Sequence, residues 1–234
     1  MSEQKINKKL FQDRKRTNIL SNPEQRFISY LVPRIPAWLS SDGLTAIGFV
    51  GSLMILGSFL LAEYVHINFL LLAVIGFFVQ WFGDSLDGRI AYYRNKSRKW
   101  YGFALDIVMD WISTVFIGLG YVFYTTGDFK YLGFALVSLY GWAMIISQLR
   151  YRITDKYTID AGLLGPTEIR VVISLVLILE VIVPGSINYS VLLICIALFF
   201  INIGDTKKLL AVGDAKDKEE KAAKLAEQNN QRQA

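Results

Sequence analysis

The chain has 234 residues, 53% of them hydrophobic, with a formal charge of +5, a sequence pI near 9.2 and a mean hydropathy of +0.36. A single cysteine, Cys195, and a single histidine, His66, exclude an intramolecular disulfide and a conventional Cys/His zinc site. The apolar residues gather in runs near the roughly 20 residues that a bilayer-crossing helix needs, and the basic residues lie just outside those runs. That placement fits anionic headgroups and topology control, and argues against nucleic acid as a partner.

Residues 1–21 form a basic segment carrying Lys5, Lys8, Lys9, Arg14, Lys15 and Arg16, with no apolar stretch directly behind them as a secretory signal requires. SNPEQRFISYLVPRIP follows. Asn22 suits a helix cap, Pro23 its first position, and Gln25 completes a capping-box spacing. Phe27, Tyr30, Leu31 and Ile35 recur at helical spacing before Pro33 or Pro36 ends a run too short to span. The stretch reads as an amphipathic helix lying in the interface or packed on the bundle.

Six spans are predicted at about 43–62, 68–91, 101–125, 130–149, 164–184 and 188–204. Arg89, Arg94, Lys96, Arg98 and Lys99 surround the second connection. Arg150, Arg152 and Lys156 follow the fourth span, and Lys207 and Lys208 follow the sixth. The opposite connections are poor in basic residues, so both termini are expected in the cytoplasm. The chain is therefore all-α: a membrane domain over 22–205, preceded by the basic segment and followed by a charged cytoplasmic tail over 206–234. The tail has too few large apolar residues to demand its own core, and is expected as an exposed helix or as largely disordered chain.

The anomaly in this apolar chain is DSLDGRIAYYRNKSRKWYGFALDIVMD, from Asp84 to Asp110. On a helix, Asp84, Asp87, Gly88 and Ala91 share one face, and Gly102, Asp106 and Asp110 share another. A hairpin of the two helices brings both acidic faces together. Four uncompensated carboxylates there would repel and resist desolvation, so a cation is expected. All-oxygen ligands favour a hard divalent ion, magnesium first and manganese second, and two ions neutralise the set best. Gly88, Ala91 and Gly102 clear space beside the acids for a bulky ligand, although small residues also serve plain helix packing. Intramembrane acids mark cation carriers as well, but these cluster at one end of their helices and no polar path continues across.

An aspartate pair ending in Asp-Gly, an alanine three further on, then a glycine and two aspartates at four-residue spacing resembles the defining motif of the CDP-alcohol phosphotransferase family, membrane enzymes of phospholipid synthesis. SSDGLTAIG, at residues 40–48, resembles the family's approach to its first span, with Thr45 retained and Ser41 and Asp42 in place of Pro-Asn. GPTE at Gly165–Glu168 is similar to a segment of choline and ethanolamine phosphotransferases. The resemblance covers roughly residues 22–205. Two features depart from the pattern: Tyr92 stands where arginine usually follows the alanine, and the interval from Ala91 to Gly102 is one residue longer. Arg94 is the candidate to restore the missing charge.

The resemblance implies six transmembrane helices behind an interfacial helix, and often a homodimer. It implies that Asp84, Asp87, Asp106 and Asp110 hold magnesium or manganese, with Asp110 as general base. Thr45, Asp84, Gly88, Ala91, Arg94 and Gly102 would then accommodate the CDP portion of a CDP-linked lipid or alcohol. An acceptor alcohol or lipid would be met at the same mouth, with Arg150, Arg152, Lys156 and Arg170 as candidate headgroup contacts. The expected product is a phosphodiester lipid, with CMP released. A cation-coupled transporter and a non-catalytic lipid- or nucleotide-binding relative are the alternatives.

Overall fold

The computed structural model describes residues 19–154 and 165–233. Its helices are α1 (Ser21–Leu31), α2 (Ser41–Tyr64), α3 (Leu70–Tyr93), α4 (Lys99–Tyr124), α5 (Lys130–Thr154), α6 (Pro166–Ile182) and α7 (Ser186–Gln233), with short 3-10 turns at Val32–Arg34, Ile67–Phe69 and Gly127–Phe129. Side chains set several of the boundaries. Ser40 Oγ accepts the Gly43 N–H at 3.0 Å to open α2, and His66 Nδ1 accepts the Asn68 N–H at 3.2 Å in the turn before α3. Arg94 closes α3, and Asn95 follows it in the left-handed region at φ 55°.

Five helical segments are long and apolar enough to cross a membrane: Ser41–Tyr64, Ile67–Tyr93, Lys99–Tyr124, Gly127–Thr154 and Ser186–Ala226. The fifth expected span, 164–184, corresponds to α6, which has 17 residues and stops short of that length. Over its described residues the chain is thus a membrane-embedded all-α bundle of five long apolar helices, with α1 and α6 shorter.

The neighbours close a ring. α2 packs on α3 and α4, α4 on α5, α5 on α7, α7 on α6, and α6 back on α3. α2 and α3 meet backbone to backbone. A Cβ on Gly51 would lie 2.5 Å from the Gln80 nitrogen, one on Gly76 2.9 Å from the Gly51 oxygen, and one on Gly83 would run into Gly48. Small residues permit this close approach where hydrocarbon offers no hydrophobic drive between helices. The expected hairpin of the two acidic helices takes a different form. α3 and α4 scarcely touch, because both lean on α2, and the gap between them is where a cavity forms.

Two apolar clusters fill the bundle. Ile55, Phe59, Leu70, Phe77, Tyr121, Leu177 and Val191 belong to the larger one, at the end away from the aspartates. The smaller joins Ile28 and Val32, from α1 and its following turn, to Leu44, Trp81, Leu86 and Ile90. α1 therefore packs on the bundle with Ile28 and Val32, while Phe27 and Tyr30 remain 45% exposed. The capping-box expectation is corrected: α1 begins two residues earlier, Leu20 stands at its cap with no side-chain bond, and Asn22 is already helical.

The tail continues α7 without a break to Gln233. Its first turns hold to the bundle through Trp142 Nε1, which donates to Thr206 Oγ1 at 3.1 Å, and Lys216 Nζ, which donates to the Ile153 carbonyl at 2.6 Å. Beyond those contacts the helix is exposed as far as its side chains are described.

Candidate active site

One cavity of about 1250 Å³ opens at the end of the ring where α2 begins, α3 ends, α4 begins and α6 begins. Asp84, Asp87, Asp106 and Asp110 all line it, with Gly88, Ala91, Gly102 and Thr45. A Cβ on Gly88 or Gly102 would meet nothing within 4 Å. These glycines therefore border open space, whereas Gly51, Gly76 and Gly83 border backbone.

Asp87 and Asp84 are individually held. Thr45 Oγ1 donates to Asp87 Oδ2 at 2.6 Å, the Gly88 N–H donates to Asp87 Oδ1 at 2.5 Å, and Ser41 Oγ donates to the Asp87 carbonyl at 2.9 Å. Arg170 Nη2 donates to Asp84 Oδ2 at 2.6 Å, a largely buried ion pair. Arg170 Nε donates to Gln80 Oε1 at 3.3 Å, Gln80 Nε2 donates to Ser52 Oγ at 3.1 Å, and Ser52 and Ser113 share a hydrogen bond of 2.7 Å. This chain of polar groups forms the inner side of the site and gives the buried Gln80 its partners, as a low-dielectric interior demands.

As they stand, no three acidic, histidine or cysteine side chains among the described residues are close enough to hold an ion together. Like charges repel across the gap between α3 and α4, and Asp84 is drawn instead to Arg170 and Asp87 to Thr45. The expected tight acidic cage is an acid-lined chamber. Its donor chemistry still fits a hard divalent ion: four carboxylates face one space, and the single cysteine and single histidine lie elsewhere in the chain.

The basic candidates separate into three groups. Arg170 belongs to the cavity through its ion pair with Asp84. Arg94 lines the cavity, but its Nη1 donates to the Leu39 carbonyl at 2.6 Å and its Nη2 to the Ile35 and Pro36 carbonyls at 3.1 and 2.9 Å. It fastens the connection between α1 and α2. Arg150 approaches Asp205 of α7 at 4.0 Å, and neither it nor Arg152 lines the cavity. Lys156 lies outside the described residues. Lys96, Arg98 and Lys99 stand at the mouth instead. Arg98 pairs with Asp42 and lies over the Tyr101 ring at 3.9 Å, and the Asp42 hydrogen bond raises its guanidinium above the ordinary value.

Sequence reasoning missed Gln80, Ser52, Ser113, Glu24 and Thr167. Gln80 carried a signal, since it sits one turn before Asp84 on the same face. The two serines had none, because a hydroxyl in an apolar run satisfies its own helix as readily as a neighbour.

Comparison with curated proteins returns no match. The family model described as CDP-alcohol phosphatidyltransferase matches residues 38–203, which contain the aspartates, both open glycines, Thr45 and Arg170. With that match spanning well over half of its length, the chain belongs to the CDP-alcohol phosphatidyltransferase family.

Proposed function

We propose that this cavity transfers a substituted phosphate from a CDP-linked lipid or alcohol to an acceptor hydroxyl, forming a phosphodiester lipid and releasing CMP. The observation that carries the reading is the convergence of four carboxylates and two open glycines on one chamber at one end of the ring. Membership of a family named for CDP-alcohol chemistry supports the same reaction class.

Asp84, Asp87, Asp106 and Asp110 would hold magnesium, with manganese as a substitute and two ions in place. When bound, such ions neutralise phosphate oxygens and favour in-line displacement. The chain's own residues supply position and proton transfer. Thr45 and the Gly88 N–H fix the Asp87 carboxylate, and Arg170 fixes Asp84. Gly88, Ala91 and Gly102 leave room for the cytidine diphosphate portion. Asp110, one turn further along α4 than Asp106, accepts the proton of the attacking hydroxyl. A new phosphorus–oxygen bond forms to the acceptor as the bond to the CMP oxygen breaks. Lys96, Arg98 and Lys99 place positive charge where an anionic headgroup or donor phosphate would arrive.

The cavity lining belongs to one end of the helices, and the larger apolar cluster occupies the other. That arrangement supports a reaction chamber over a cation pathway. The test is incubation of the purified protein with CDP-diacylglycerol or CDP-headgroup donors and a panel of acceptor alcohols. We expect magnesium-dependent release of CMP and a new lipid of matching mass. A well-folded protein that releases CMP from no donor would refute the reading.

A further inference from the structure

The GPTE segment, similar in sequence to a segment of choline and ethanolamine phosphotransferases, ties two helices together in the fold. Gly165 is the cap residue of α6 and Pro166 its first helical position. The Glu168 carboxylate is 7% exposed and accepts two backbone N–H groups: Gly165 at 2.9 Å on Oε2, and Leu20 at 2.7 Å on Oε1. The second bond ties the start of α6 to the residue that opens α1. A second tie runs beside it. Thr167 Oγ1 donates at 2.9 Å to Glu24 Oε1, which also accepts from Trp81 Nε1 at 3.1 Å and Ser85 Oγ at 3.4 Å.

Two carboxylates, one on α1 and one on α6, thus each receive donors from the other's helix or its lead-in. Ser21 and Glu24 line the cavity together with Pro166, Thr167 and Glu168, so α1 and the start of α6 form adjoining parts of one wall. Ile28 and Val32 enter the smaller apolar cluster, Phe27 stacks on Trp81 at 5.8 Å, and Tyr30 is half-exposed. A carboxylate that is almost wholly buried and bonded to two backbone donors is placed to fix chain segments, and presents little surface to a ligand.

We propose that Gly165–Glu168 and Glu24 form a clasp holding α1 across one wall of the chamber. Glu24, Thr167 and Glu168 are then positioning residues for an amphiphilic substrate. The consequence for catalysis rests on the CDP-alcohol reading given above; the clasp itself does not.

The experiment is amide hydrogen exchange on the purified full chain in lipid nanodiscs, combined with steady-state kinetics. Glu168→Ala removes both acceptors, whereas Glu168→Gln deletes the charge but keeps an acceptor oxygen. Exchange over residues 20–31 is expected to rise about tenfold in Glu168→Ala, the size of one or two lost charge-assisted bonds, with α2 and α3 unchanged. Glu168→Gln keeps most of the protection. In Glu168→Ala the KM for the lipid substrate rises more than kcat falls. Should Glu168→Ala not accumulate, Thr167→Val removes one donor of the Glu24 set and is read over the same segment. Wild-type exchange of α1 in the alanine variant, with an altered ranking of acceptor alcohols, would overturn the clasp. Absence of CMP release by the wild type would remove the enzymatic reading, while the exchange comparison would still decide the clasp.

Discussion

Asp87 and Asp110 line the same chamber, and different tasks are proposed for them. Asp87 is held on both oxygens, by Thr45 and by the Gly88 N–H, which suits a ligand that must keep one orientation. Thr45→Val keeps the shape and removes one of those bonds, so manganese affinity should fall about tenfold, as expected for loss of an outer partner of a ligand. Titration calorimetry on the purified variant reads this directly. Asp110→Asn should retain the fold and nucleotide binding and lose turnover by roughly 10²–10⁴-fold, the usual contribution of a general base. Wild-type turnover in that variant would remove the assignment. Gly88 tests the space itself: Gly88→Leu should fold normally, since its Cβ meets nothing, yet should abolish binding of a CDP-linked substrate.

At the scale of elements, the α2–α3 crossing and the Arg94 tie set the chamber. Gly83 stands against Gly48 with no room for a side chain, so Gly83→Val forces the helices apart at the level of Asp84. Overpacking of this kind costs about 3 kcal/mol, and a lowered melting temperature together with reduced activity should follow. The sequence made five long apolar helices and the two acidic faces legible, because apolar run length and helical spacing report them directly, while the fifth expected span proved to be the shorter α6. It did not reveal that α3 and α4 stand apart on a shared α2, since pairing partners depend on packing surfaces and not on order along the chain. Arg94 shows the same limit. Its position suggested a replacement for the missing arginine at residue 92, while the fold directs its guanidinium to the carbonyls of residues 35, 36 and 39. The α1 cap was misread for a related reason: Leu20 is anchored by Glu168, a partner 148 residues away that no local pattern encodes.

For the whole molecule, the ring of helices places acids, open glycines and basic mouth at one end and a closed apolar cluster at the other. The basic connections flank that same end, so the chamber is proposed to face the cytoplasm with both termini beside it. A fluorescent protein fused after Ala234 should therefore fluoresce, and an alkaline phosphatase fusion there should be inactive. Much of this polarity was visible in the sequence, because charge asymmetry between loops needs no tertiary information. The chamber's unity was not, since it is assembled from residues of every helix from α1 to α6. The most direct measurement is manganese binding to the purified wild-type chain, followed by paramagnetic resonance and repeated with Asp106→Asn. About two ions per chain are expected to bind, displaced by magnesium and greatly weakened in the variant. Equal binding by wild type and variant, or no binding by either folded protein, would contradict it.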